Sequence, residues 1–277
     1  MRRRRYWSNS RENNKMHKRW LVSVSVILIG GAAAYCYRPR LVEWVRASLG
    51  DFEKHGANYK IQPDPKTYDV LTKDLERWRK NLSVRYSIAK TPTDRAAVES
   101  DARAVLEQAL PAMMHCWLGT PWDFNGTASG PGKGKIACGY FVATVLRDAG
   151  FKVDRYQLAK QPAENILRSF LPRESCDLTV DQAFSAFASE VVLEEPGVYL
   201  VGLDTHIGFI ILANENFRFI HSSGLRPWCV VEESVDQAAA LQHSSWRMLG
   251  NLTADSTVLK SWVTGKKIEV KGVQRAK

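Results

Sequence analysis

The sequence predicts an α+β protein whose helices come first and whose strands come last. Two observations carry this expectation. Between residues 66 and 110, and again from 136 to 150, apolar side chains recur every three to four positions, the period of a helix packed on one side. Between residues 196 and 249 they gather into short runs divided by Pro-Gly, Asn-Glu-Asn and glycine turn signals, the mark of antiparallel strands. A composition of 45% apolar and 25% charged residues over 277 positions belongs to a globular body with a sizeable core, which excludes a disordered, collagen-like or coiled-coil chain.

The first forty residues stand apart. They hold ten Lys/Arg and one Glu, so of the formal charge of +10 only +1 is left for residues 41–277. A nearly neutral body excludes nucleic acid as the expected partner. Eight of those cations precede Trp20, and Leu21 to Tyr37 is a run of seventeen residues without a charge, closed by Arg38-Pro39-Arg40. A bilayer span takes roughly 17–25 apolar residues, and the apolar stretch of a signal peptide roughly 7–15. The run meets the first range and exceeds the second, and cations follow it at once. The expectation is an uncleaved membrane anchor through residues 21–37, with the basic end in the cytoplasm and the body outside it, on the periplasmic or extracellular face. A cleaved segment and a secreted body is the alternative. Tyr35, bulky where a small residue is required, argues against Cys36 as a lipidated cysteine.

In the body, Leu41 to Leu49 reads as a short helix and the stretch to Gln62-Pro63-Asp64-Pro65 as a linker. Residues 66–90 form a helix on Leu71, Leu75, Trp78 and Leu82. A second helix, capped by Thr93 or Asp94, carries Ala97, Val98, Ala102, Val105, Leu106 and Leu110 and is expected to end near Pro111. Met113 and Met114 read as gap-filling core. Gly119 to Lys135 is a long glycine-rich loop. It lacks the GxxxxGK[ST] pattern after a strand and so reads as a flexible site wall, not a phosphate loop. Ile136 to Gly150 is a helix with Cys138, Phe141, Val142, Val145 and Leu146 on one face and Gly150 closing it. Helices at Ala163–Leu171 and Asp181–Ser189 follow. Then come strands at Val198–Val201 and His206–Leu212, a hairpin turn at Asn214-Glu215-Asn216 and a returning strand at Phe217–His221. The remainder alternates a helix at Ser234–Leu241 with strands at Trp246–Leu249 and Val258–Val263.

The residues with chemical potential are few. The five cysteines (Cys36, Cys116, Cys138, Cys176, Cys229) show no CxxC or Cys/His spacing, so no metal is expected. Cys176 with Cys229 is a possible bridge if the body lies in an oxidising compartment. Cys138 opens an amphipathic helix, where unpaired N–H groups and the helix dipole favour thiolate over thiol. A thiolate needs a proton acceptor beside it, and the acceptor needs an orienting partner. His206 and His221 stand at the start of one hairpin strand and the end of the next, so the antiparallel return can bring them side by side. Each residue alone has a plainer reading, the cysteine as small core and the histidines as satisfied strand residues. The joint pattern is what points to nucleophilic chemistry.

The stretches "LGTPWDFNG", "IACGYFVATVLRDAGF", "PGVYLVGLDTHIGFIIL" and "FRFIHSSG" together resemble the NlpC-like cell-wall cysteine peptidase family over roughly residues 103–263. The resemblance implies a papain-type fold, an antiparallel sheet packed against helices. It implies Cys138 as nucleophile, His206 as general base and His221 as its orienting group, with the backbone N–H of Cys138 helping to hold an oxyanion. Trp122, Asp123 and Gly139 are then expected to face substrate. The implied reaction is hydrolysis of an amide bond in peptidoglycan stem peptides, with no cofactor. This chain departs from the family in having Ala137-Cys138-Gly139 around the nucleophile, Trp122 in place of a tyrosine and Val198 in place of an acidic residue. Those changes bear on substrate choice. A related hydrolase or acyltransferase acting on another acyl or amide bond, or a catalytically silent wall-binding module, are the alternatives. The expected organisation is an anchor at 1–40, a linker and helical region at 41–102, the catalytic domain at 103–263 and a solvated basic tail at 264–277.

Overall fold

The computed structural model describes residues 62–272. The expected anchor at 21–37, the helix at 41–49 and Cys36 lie outside them, and among the described residues no helix is long and apolar enough to cross a membrane.

Helix α1 (Pro65–Ile88) starts where the Asp64 carboxylate accepts the Thr67 N–H and Pro65 occupies the first turn, and it buries Tyr68, Leu71, Leu75 and Leu82 on one stripe. Helix α2 (Pro92–His115) opens on a capping box in which Thr91 and Asp94 satisfy each other's backbone N–H groups. It does not stop at Pro111. The helix runs four residues further, because Pro111, Ala112, Met113 and Met114 are all buried and their packing offsets the missing hydrogen bond. A boundary between residues 102 and 103 would cut this helix in two.

Helix α3 (Cys138–Asp148) is followed by the short α4 (Arg155–Ala159) and by α5 (Ala163–Phe170). Strand β1 (Asp177–Val180) and helix α6 (Phe184–Val191) come next. Strands β2 (Gly197–Leu203), β3 (Ile207–Ala213), β4 (Asn216–Ser222) and β5 (Val230–Ser234), helix α7 (Ala239–Gln242), strand β6 (Trp246–Asn251) and helix α8 (Ser256–Thr264) complete the order. Six strands make one sheet in the order β1-β6-β2-β3-β4-β5, every neighbouring pair antiparallel. The α+β expectation therefore holds.

The sheet is covered on both faces. On one, Tyr199, Val201, Ile210, Leu212, Phe217 and Phe219 pack against Phe187 and Val191 of α6 and against Leu241 of α7. On the other, Phe209 meets Phe141 of α3 edge-on at 6.0 Å, and Gly202 lies against Ala163 and Leu167 of α5. The helix carrying Cys138 is thus pinned to the middle of the sheet by its own apolar face.

Four local expectations are corrected. Residues 258–263 are helical, not extended: Asp255 caps α8 through the N–H groups of Thr257 and Val258, and Gly265 ends it at φ 64°. Residues 230–234 form strand β5, and the helix after them is only the single turn Ala239–Gln242. Cys176 and Cys229 are free thiols. They precede β1 and β5, the two opposite edges of the sheet, so no bridge can join them. The basic tail is not solvated throughout, since Ile268 is buried and its N–H donates to the Lys152 carbonyl at 2.8 Å.

The glycine-rich loop is also more constrained than a flexible wall. Arg155, 3% exposed, donates to the carbonyls of Thr127 (2.9 Å) and Ala128 (2.7 Å) and to Thr144 Oγ1 (2.6 Å), with its guanidinium against the rings of Tyr140 and Tyr156. Ser222 of β4 donates to the Ile136 carbonyl at 2.7 Å. The loop is therefore bolted to α3 and to the sheet. Arg155→Leu leaves the buried Ala128 carbonyl and the part-buried Thr127 carbonyl without their charged donor, and hydrogen bonds from charged groups contribute about 1.5–3 kcal/mol each. The variant is expected to lose roughly 3 kcal/mol or more of stability in urea unfolding.

Candidate active site

Cys138 is the first residue of α3, and its N-cap, Ala137, makes no side-chain hydrogen bond to the helix. The first-turn N–H groups are therefore left for other acceptors. His206 stands one residue before β3, and His221 is the penultimate residue of β4. The hairpin between them closes through Asn214 and Glu215, both at positive φ, and its register pairs Phe209 with Ile220. The three residues line one cleft of about 940 Å3, together with Trp122, Phe124, Lys160, Asp204, Leu225 and His243.

Within the cleft the histidines are in direct contact. His206 Nε2 and His221 Nδ1 are 2.7 Å apart, with the two rings at 88° to each other. His221 is 1% exposed. It stacks on Phe219 at 4.1 Å, and its Nε2 lies 3.0 Å from Glu233 Oε2. The result is a hydrogen-bonded row His206–His221–Glu233 drawn from three successive strands or their ends. Glu233 is absent from the sequence reading because β5 is. It comes within reach because Phe219 pairs with Glu233 in the β4–β5 register, which makes Glu233 the diagonal neighbour of His221 on the same face. The β-branched pair Val230-Val231 ahead of Glu232-Glu233 is a weak strand signal without alternation, so the sequence alone does not expose it.

Glycine at position 208 makes room for this row. A Cβ there would lie 2.7 Å from the Phe219 ring and 2.8 Å from the Cβ of His221, closer than side chains can approach. Gly208→Ala must push β3 and β4 apart or rotate His221. It is expected to keep the fold but to separate the two imidazoles, seen as loss of reactivity at Cys138 toward iodoacetamide with far-UV circular dichroism unchanged.

The electrostatics correct one expectation. The Cys138 thiol is not lowered: burial pushes it above its ordinary value, although the N–H groups of Ile207, Gly139 and Cys138 itself pull the other way. Burial, reinforced by the His221 imidazole, brings His206 down to about 3. Desolvation disfavours both charged forms, so at neutral pH the resting pair is a thiol and a neutral imidazole. No hydrogen bond joins the sulfur to His206 in this structure; the bonded partner of His206 is His221. What the arrangement can do is accept the thiol proton at the moment of attack, with helix-start N–H groups beside the sulfur.

This depression of His206 also sets an acid limit. Unfolded, the side chain takes up a proton near pH 6.5, and folded only near pH 3. Between those values the unfolded state binds more protons, so the contribution is full above about pH 6.5 and is lost as pH falls toward 3. His206→Asn is expected to flatten that part of the pH dependence, measured as urea midpoints from pH 7.5 down to pH 4.5.

The three residues expected to face substrate fare differently. Trp122 lines the cleft and packs against the half-exposed Trp228 with ring centroids 5.6 Å apart. Asp123 does not line it. Its carboxylate accepts the Asn125 N–H at 2.9 Å and pairs with Lys135 at 3.2 Å, so it organises the loop. Gly139 touches the cleft, but its lack of a side chain serves packing: a Cβ would fall 2.4 Å from the Ala159 carbonyl oxygen. Val198 is buried in the sheet and away from the cleft, so that departure from the family pattern does not alter the site wall. Among the described residues no cluster of His, Cys, Asp and Glu could hold a metal. Comparison of the chain with protein-family models, curated proteins and solved structures returned no match.

Proposed function

We propose that this chain is a cysteine hydrolase of the NlpC-like, papain-type kind, held at a membrane by residues 21–37 with its body outside the cytoplasm, and that it cleaves amide bonds in peptidoglycan stem peptides. The observation that carries the reading is one cleft holding a cysteine at a helix start and two histidines 2.7 Å apart, the second backed by a carboxylate. The order of helix, then base strand, then orienting strand matches the resemblance seen in the sequence.

The chemistry follows from the resting protonation states. His206 takes the Sγ–H proton as the sulfur attacks the carbonyl carbon, and the negative charge that develops on the carbonyl oxygen is met by N–H groups at the start of α3. Collapse of the tetrahedral species breaks the C–N bond, the amine leaves with the proton held by His206, and a thioester remains on Cys138. Water then attacks the thioester with His206 again as base, giving the free carboxylate and restoring the thiol. Every proton taken is returned, and no cofactor takes part.

A thiol raised by burial needs its base for reactivity. Cys138→Ala is expected to abolish release of peptide fragments from cell-wall sacculi incubated with the intact chain, read by mass spectrometry, with unfolding unchanged. In the wild type, alkylation of Cys138 is expected to climb with pH above neutrality and to show no acid plateau of preformed thiolate. Fragment release by Cys138→Ala would remove the mechanism. Intact sacculi beside a reactive Cys138 would move the substrate to another acyl or amide bond, a class to which the aromatic wall of Trp122 and Phe124 is also suited.

A further inference from the structure

We propose that Glu233 is a positioning residue that fixes the proton arrangement of both imidazoles, so that His206 presents an unprotonated Nδ1 to the cleft. This rests on the hydrolase reading for its purpose but not for its geometry. A histidine is an ambiguous orienting group, because either ring nitrogen can donate or accept, whereas a carboxylate only accepts. The contact of 2.7 Å between His206 Nε2 and His221 Nδ1 can therefore be made in two senses. If His221 donates from Nδ1, neutral His206 must carry its own hydrogen on Nδ1 and is useless as a base there. If His206 donates from Nε2, its Nδ1 lone pair is free.

Glu233 decides between them. Its Oε2 lies 3.0 Å from His221 Nε2. A neutral His221 that donates from Nδ1 would leave a bare Nε2 facing the carboxylate, two acceptors in contact around a ring that is 1% exposed. At 3.0 Å there is no room for a water between them, so that arrangement is penalised. With the hydrogen on Nε2 instead, His221 donates to Glu233 and accepts from His206, and the row carries one hydrogen per contact. Turning the ring over would break its contacts with His206 and Glu233 together, and Phe219 stacks on it at 4.1 Å and 19°. Glu233 is itself fixed by the β4–β5 register. When His206 takes the thiol proton, the imidazolium still donates from Nε2 to His221, and the carboxylate charge at the end of the row offsets the new positive charge.

The test is spectroscopic and needs no substrate. In the intact chain labelled with 15N-histidine, long-range 1H–15N spectra at pH 7.5, assigned with His206→Asn and His221→Asn, should show both rings as neutral Nε2–H tautomers. Glu233→Leu should move His206 toward the Nδ1–H form and slow alkylation of Cys138 roughly 10²-fold, less than the roughly 10⁴-fold loss recorded when a directly orienting carboxylate is neutralised. Glu233→Gln, whose carbonyl can still accept from His221, should keep the tautomers and lose less than about tenfold. A wild-type spectrum with His206 hydrogenated on Nδ1, or with His221 charged, would overturn the proposal whether or not the leucine variant folds. Unchanged tautomers in a folded Glu233→Leu variant would do the same. The predicted tautomers in a protein that leaves sacculi intact would instead retain this role and remove the peptidoglycan reading.

Discussion

Everything in the site depends on the hydrogen bond between His206 and His221. An imidazole at the end of a strand has a free torsion and two nitrogens, either of which can carry the hydrogen, and by itself it offers a reacting group no defined direction. The bond to His221 removes both freedoms, and it can do so only because His221 is itself immobile, stacked on Phe219 and tied to Glu233. The sheet is the means of arranging this. Three adjacent antiparallel segments supply the three groups, and the spacing between strands, roughly 4.7–4.9 Å, is the reach of a hydrogen-bonded imidazole chain.

Burial of that row has a consequence for charge. Water is what stabilises a thiolate or an imidazolium, and partial burial on the cleft floor limits its access to both, so Cys138 is raised and His206 lowered. The N–H groups of Ile207 on β3 and of Gly139 and Cys138 at the helix start pull the sulfur in the other direction, but desolvation is the larger effect. The Cys138–His206 pair is uncharged at rest and acquires charge only along a reaction. Arg155 ties the glycine-rich loop to α3 from within, and Gly139 lets α4 approach the first turn of α3 more closely than any side chain would allow.

How much of this was legible in the chain depends on the range of the interactions concerned. The hairpin from His206 to His221 was readable because its turn, its apolar run and its two histidines lie within sixteen consecutive residues. Helix α3 was readable from its period. By contrast, Val258 to Val263 is a short apolar run that fits either period, and the caps Asp255 and Gly265 decide it. Helix α2 continues past Pro111 because of what covers its far end, which no local rule reports. Asp123 has the composition of a site residue, yet its partners Asn125 and Lys135 belong to the loop.

By itself the sequence determined an α+β body, the placement of Cys138 at a helix start and the pairing of the two histidines across a hairpin, because periodicity, capping and turn chemistry act between near neighbours. The tertiary structure decided the rest: that Glu233 stands behind His221, that Gly208 yields its space to the imidazole row, that Cys176 and Cys229 lie on opposite edges, and that burial outweighs the helix end at the sulfur. Each of these is a contact or a desolvation between segments distant along the chain or paired across strands, and such terms exist only once the sheet has set its register.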